Sequence, residues 1–118
     1  NYVPSIDTEE NNNFIKAYKD KFGRSPSEFA VQGYDSAKVI IKAIEALSGN
    51  ITDKDKLAEA INAVSITGPR GPLTIDPETN NVIQNIYIFE VVKGENGPEL
   101  KVLDTIEAVK APGPGCKL

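Results

Sequence analysis

The sequence predicts a mixed helix-and-strand fold, three helices followed by about three strands, an order that on its own reads as α+β. Three observations predict it. Apolar residues recur at helical spacing from Phe14 to Val64. From Leu73 onward the pattern changes to alternation and short apolar runs. Glycine and proline clusters separate the segments.

The first helix follows Pro4. Asp7 is the expected N-cap, with Glu10 three residues later at capping-box spacing, and Glu9 and Glu10 suit the positive end of the helix dipole. Phe14, Ile15, Tyr18 and Phe22 form the apolar face, and Gly23 supplies the stop. Asn11-Asn12-Asn13 are poor helix formers that only a first turn tolerates. The second helix opens on Ser27 and runs to about Leu47. Its apolar stripe is broad: Val31, Tyr34, Ala37, Ile40, Ile41, Ile44 and Leu47. Gly49 ends it. Gly33, inside it, costs about 1 kcal/mol relative to Ala, which suggests a place where another backbone or a ligand comes close. The third helix opens at Thr52 with Asp55, buries Leu57, Ala58, Ile61 and Val64, and stops before Gly68-Pro69-Arg70-Gly71-Pro72. That stretch reads as an irregular connection, because its prolines remove the donors that an anion-binding nest needs.

Leu73 to Asp76 alternate like a short strand, and Pro77 to Asn81 form a turn. Val82 to Val92 is the strongest strand. Ile86-Tyr87-Ile88-Phe89 put apolar groups on both faces, as in an interior strand covered on both sides. Lys93 to Gly97 is a hairpin loop and Leu100 to Ile106 the partner strand, while Pro112-Gly113-Pro114-Gly115 fits neither a central strand nor a helix. Three broad helical faces and a doubly apolar strand call for a larger sheet than these residues supply. The chain is therefore expected to be part of a longer fold.

Composition narrows the function. A net charge of -4 without a clustered basic patch argues against a nucleic-acid surface and gives no attraction to anionic lipid. There is no His and one Cys, Cys116, which excludes an internal disulfide and a Cys/His metal site. Without His, no serine has its usual activating base. Neither a cofactor nor an enzymatic activity is expected. Glu9 and Glu10, neighbours on a helix, do not face each other as an acid/base pair would. Asn50-Ile51-Thr52 matches a glycosylation sequon, but Thr52 reads as a helix cap. Asp35 and Lys38 are expected to form a weak surface pair. The remaining cluster is Gln32-Gly33-Tyr34-Asp35. Either Tyr34 is a core residue with its hydroxyl bonded to backbone, or Tyr34 and Gln32 offer polar contacts to a ligand.

A longer series of residues bears on that choice: Tyr2-Val3-Pro4, Asn11, Phe14, Tyr18, Phe22-Gly23, Pro26-Ser27 and Phe29-Ala30-Val31-Gln32-Gly33-Tyr34-Asp35-Ser36-Ala37. It continues with Gly68-Pro69-Arg70-Gly71-Pro72-Leu73-Thr74-Ile75-Asp76, Gln84-Asn85-Ile86-Tyr87-Ile88-Phe89-Glu90-Val91, and the closing Pro112-Gly113-Pro114-Gly115-Cys116-Lys117-Leu118. In this order the series resembles the branched-chain amino-acid-binding family of type I periplasmic solute-binding proteins of ABC importers. The resemblance covers essentially the whole chain.

It implies an α/β fold of two lobes joined by three crossovers, of which this chain is the C-terminal part. Residues 1–85 would complete the N-terminal lobe, 86–90 would be a crossover strand, and 91–118 would return to the C-terminal lobe. The implied protein is periplasmic or extracellular, and delivers an amino acid or a related small carboxylate, aromatic ones included, to an ABC permease. The alternative is a sensory receptor lobe of the same fold, such as an amide-responsive regulator. Val31, Gln32 and Tyr34 would touch the ligand, with Val31 beside its side chain. Cys116 would be a tail residue able to pair with an upstream Cys in an exported parent. The isolated part is expected to oligomerise through exposed strands at Ile86 to Val92.

Overall fold

The computed structural model describes residues 2–95 and 97–112; the expectations for Cys116 and the closing Pro-Gly tail lie outside them. Helices α1 (Glu9–Phe22), α2 (Glu28–Ala46) and α3 (Lys54–Asn62) precede four strands, β1 (Ser65–Gly68), β2 (Gly71–Ile75), β3 (Val82–Gly94) and β4 (Gly97–Val109). The strands form one antiparallel sheet in sequence order. Three helices then strands is the order expected, with one more strand than expected.

α1 is capped by Thr8, not Asp7: the Thr8 side chain accepts from the Asn11 amide. Asn11 explains why asparagines stand here. Its side chain is fully buried, donates to the Pro4 and Ile6 carbonyls at 3.1 and 2.7 Å, and accepts from the Tyr2 hydroxyl at 3.0 Å. A poor helix former thus fastens the incoming chain to the first turn. α1 ends where expected, at Gly23 in the left-handed region. α2 opens on Ser27, whose side chain accepts from the Ala30 amide. α3 is capped by Asp53, which accepts from the Asp55 and Lys56 amides, while Thr52 donates instead to Asn50.

α3 stops at Asn62 and the chain turns at once into β1, so Val64 lies beyond the helix. Gly68-Pro69-Arg70-Gly71 is no irregular connection. Gly68 pairs with Gly71, and Pro69-Arg70 is the two-residue turn of a hairpin. Gly71 holds φ +90 there, a left-handed backbone that favours glycine.

β2 pairs with β3 only over Val82 to Gln84, whereas β4 runs back along β3 to pair Gln84 with Val109. β3 is thus an interior strand in the sheet order. It is not covered on both faces, since Ile88 and Phe89 are exposed although Tyr87 is buried. β4 carries one extra residue at two places, around Glu107-Ala108 and at Leu103. Ala108 takes φ 50 in the first bulge, and its amide donates to the Asn85 side chain at 3.1 Å.

Two apolar clusters hold these pieces together. One joins Tyr2, Val3, Ile6, Phe14, Val31 and Tyr87, with Leu100 and Val102 packed against it. It ties the start of the chain, α1, α2 and the β3–β4 ribbon into one unit, and the Ser5 hydroxyl adds a hydrogen bond to the Leu100 carbonyl. The other joins Ala43, Val64, Ile66 and Leu73 under α3. Full burial of a Val or Leu side chain contributes about 1.5–3 kcal/mol, so each cluster is a substantial share of a small domain's stability.

Candidate functional site

The first turns of α2 carry the residues singled out by sequence, and the helical period sends them in different directions. Val31 is completely buried, in the cluster with Phe14 and Tyr87. Gln32 points to solvent, its amide within 3.4 Å of Glu28. Gly33 is open: a Cβ added there meets nothing within 4 Å. Tyr34 is neither a core residue nor bonded to backbone. It is 40% exposed, its ring lies 4.8 Å from that of Phe14, and its hydroxyl reaches Glu10 at 3.4 Å. Gln32, Gly33 and Tyr34 are each exposed but face different ways, Tyr34 toward α1 and Gln32 away from it, while Val31 is turned into the core.

Tyr34 also borders a groove of about 450 Å³, lined on the α1 side by Phe14, Tyr18 and Phe22. These rings follow one another at centroid separations of 5.8 and 4.5 Å, with tilted planes, an arrangement that aromatic quadrupoles favour. Phe29, one turn before Gly33, is 77% exposed. The groove between α1 and Tyr34 is therefore aromatic and apolar with a few polar groups, the mixture found in pockets for small organic molecules. Its lining comes from α1 and from Tyr34 of α2.

On the buried side of α2 lies a polar network that no sequence motif announces. Asp35 is buried on α2. It pairs with Arg70 of the β1–β2 turn, not with Lys38: the Arg70 Nε donates to Asp35 Oδ2 at 2.7 Å. Arg70 Nη1 donates to the Gln84 side chain on β3 at 2.9 Å, and the Arg70 carbonyl accepts from the Tyr87 hydroxyl at 2.7 Å. Lys38 turns the other way, to Glu10 on α1 and the Thr67 carbonyl on β1. Burial pushes the Asp35 carboxyl above its ordinary value, with Arg70 pulling against that rise. Its Oδ1 has no hydrogen-bond partner among the described residues.

One signal could have revealed this network. Asp35 stands one turn after Val31 on the same apolar stripe, and a charge there must find a partner. Arg70, held between Pro69 and Gly71 in a tight turn, is that partner. No group of acidic, His or Cys side chains that could hold a metal occurs among the described residues. No described helix is long and apolar enough to cross a membrane.

Comparison with known proteins gives this geometry its context. Residues 1–96 match the family model described as periplasmic binding protein. The chain is 38% identical over 116 residues to the Leu/Ile/Val-binding protein homolog 6 of Brucella abortus (strain 2308), covering 95% of this chain and 29% of that protein. Among solved structures it superposes on a solute-binding protein of an ABC transporter from Rhodopseudomonas palustris BisB5 in complex with 3,4-dihydroxybenzoic acid. The TM-score is 0.88 at 37% identity, over 95% of this chain and 31% of that one. A second R. palustris solute-binding protein, in complex with benzoate, gives a TM-score of 0.84 at 31% identity, over 99% of this chain and 31% of that one. The chain thus spans less than a third of the length of each of these proteins.

Proposed function

Because the chain belongs to the periplasmic binding protein family, whose place is outside the cytoplasm, we propose that it is part of a solute-binding protein that delivers a small carboxylate to an ABC importer. An aromatic acid is the first candidate and a branched-chain amino acid the second. The observation that carries this reading is the likeness over 95% of the chain, at 37% identity, to a binding protein that holds 3,4-dihydroxybenzoic acid. The aromatic surface around Tyr34, Phe14 and Tyr18 supports the first candidate, and the Leu/Ile/Val-binding relative supports the second. None of the relatives described above is a sensory receptor.

In this reading the protein binds without chemistry. Gln32 and Tyr34 contact the ligand and Gly33 lets it approach, while Val31, proposed from the resemblance to lie beside the ligand, supports them from the core. Residues 1–85 belong to one lobe, 86–90 form a crossover and 91–118 belong to the other lobe. The loss of β2 pairing after Gln84 fits a strand that leaves its own lobe there. Closure of the lobes on ligand would be the signal read by the permease.

Calorimetric titration of the intact parent protein with 3,4-dihydroxybenzoate, benzoate and leucine tests the reading. Saturable binding of one of them, weakened about tenfold or more by Gln32→Ala or Tyr34→Phe, is the expected result; a tenfold loss corresponds to about 1.4 kcal/mol. A well-folded parent that gives no heat with either class would overturn it.

A further inference from the structure

We propose that Arg70 is a positioning residue that fixes the start of α2 against the base of β3. It would thereby set the first turns of α2, which carry Gln32, Gly33 and Tyr34, without touching a ligand. The inference rests on the reading above for what those turns bind, but not for how they are held.

Arg70 lies at the crossing of three elements. Its guanidinium holds Asp35 on α2 at 2.7 Å and Gln84 on β3 at 2.9 Å. Its carbonyl holds the Tyr87 hydroxyl at 2.7 Å. Tyr87 belongs to the same buried cluster as Val31, and Val31 stands one turn before Asp35. The contacts close a circuit: Val31, Tyr87, Arg70, Asp35 and back along the helix. Two places on α2, one turn apart, are thus fixed to β3, one by packing and one through the Arg70 fork. A planar fork with fixed donor directions orients its partners in a way that a point charge cannot.

Stability alone does not account for the arrangement. A buried ion pair is weak support for stability once both charges have lost their water. Here one carboxylate oxygen remains without a partner. The pair instead holds two elements at a defined separation and angle.

Hydrogen exchange on this chain tests the inference, with Asp35→Asn and Arg70→Gln made together. The double substitution removes both charges and the fork, so no unpaired buried charge remains. The amides of residues 31–34 are expected to exchange about tenfold faster or more, while those of α3 and β1 keep their wild-type rates. Local opening of this kind is separable from global unfolding. Wild-type rates at 31–34, or one uniform acceleration of every amide, would overturn the inference. Should the double variant fail to fold, Arg70→Lys is the second arm. It keeps a cation beside Asp35 but cannot span to Gln84 in the same geometry, and the same local acceleration is expected, with unchanged rates again counting against the inference. Because exchange is read without ligand, a parent that binds no carboxylate would defeat the functional reading and leave this result standing.

Discussion

The carboxylate of Asp35 occupies the space where Gly68 would carry a side chain, with Oδ1 2.0 Å from the position of a Cβ on that glycine. The carboxylate cannot withdraw, because Arg70 grips its other oxygen. Gly68→Ala is therefore expected to destabilise the chain by about 1–3 kcal/mol, the range for overpacking a rigid site. Urea unfolding followed by circular dichroism measures it.

Gly33→Ala should act in the opposite sense. The site is helical, and nothing stands within 4 Å of the added methyl. A gain of about 0.5–1 kcal/mol is expected from helix propensity. In the intact parent the same change should weaken ligand binding if the ligand approaches Gly33. Paired unfolding and calorimetric measurements separate the two effects.

Arg70→Met leaves the buried Asp35 carboxyl alone, and the loss expected at pH 7 is about 3–5 kcal/mol. The loss should depend on pH. Burial already raises the Asp35 carboxyl above 3.8, and Arg70 opposes that rise. Removing Arg70 raises it further, so the folded variant binds a proton that the unfolded chain releases. Stability held by that proton is fully present below about pH 4 and lost as pH rises through the raised value. The difference between variant and wild type should therefore narrow on acidification. A difference that stays constant from pH 7 to pH 4 would contradict this account of Asp35.

At the alkaline end the sensitive group is Tyr2. Burial pushes its hydroxyl from 10.0 up to about 12. Its contribution to stability is complete below pH 10 and disappears as pH rises toward 12. Tyr2→Phe should flatten the decline of stability over that window, leaving the share from Tyr87, which burial also raises. Denaturant titrations at several alkaline pH values provide the comparison.

The ribbon of β3 and β4 leaves apolar side chains in water, Val91 at 68% and Leu103 at 57% exposure among them. Beyond Gln84 no described strand lies on the β2 side of β3. Concentration-dependent self-association of this chain is expected. Val91→Lys with Leu103→Lys should shift it toward monomer in sedimentation velocity. A monomer at every concentration would remove the support for pairing through this ribbon.

What the sequence made legible was local. The second helix announced itself through Ser27 and the apolar stripe behind it, and the stop at Gly23 needed no tertiary information. Caps decided by a single competing hydroxyl or carboxylate, Thr8 against Asp7 and Asp53 against Thr52, came out one residue away. β1 was hidden because Ser65 to Gly68 is only four residues long and continues the apolar pattern of α3 through Val64. The Asp35–Arg70 pair spans 35 residues of sequence, and no periodicity reports such a contact. At the candidate site the helical period separates buried Val31 from exposed Gln32 and Gly33. The burial of Val31 depends on Tyr2, Val3 and Tyr87, which reach it from both ends of the chain.

The two extra residues of β4 also bear on how the hairpin finds its alignment. The inward and outward positions of β4 differ little in exposure, so alternation alone would let the strands slide past each other. A slide by two residues would have to dissolve both bulges. It would also draw the Ala108 amide off the Asn85 side chain while leaving a left-handed alanine opposite a regular pair. The bulges thus act as notches on a rail. They give a long ribbon with weak facial contrast a single permitted position.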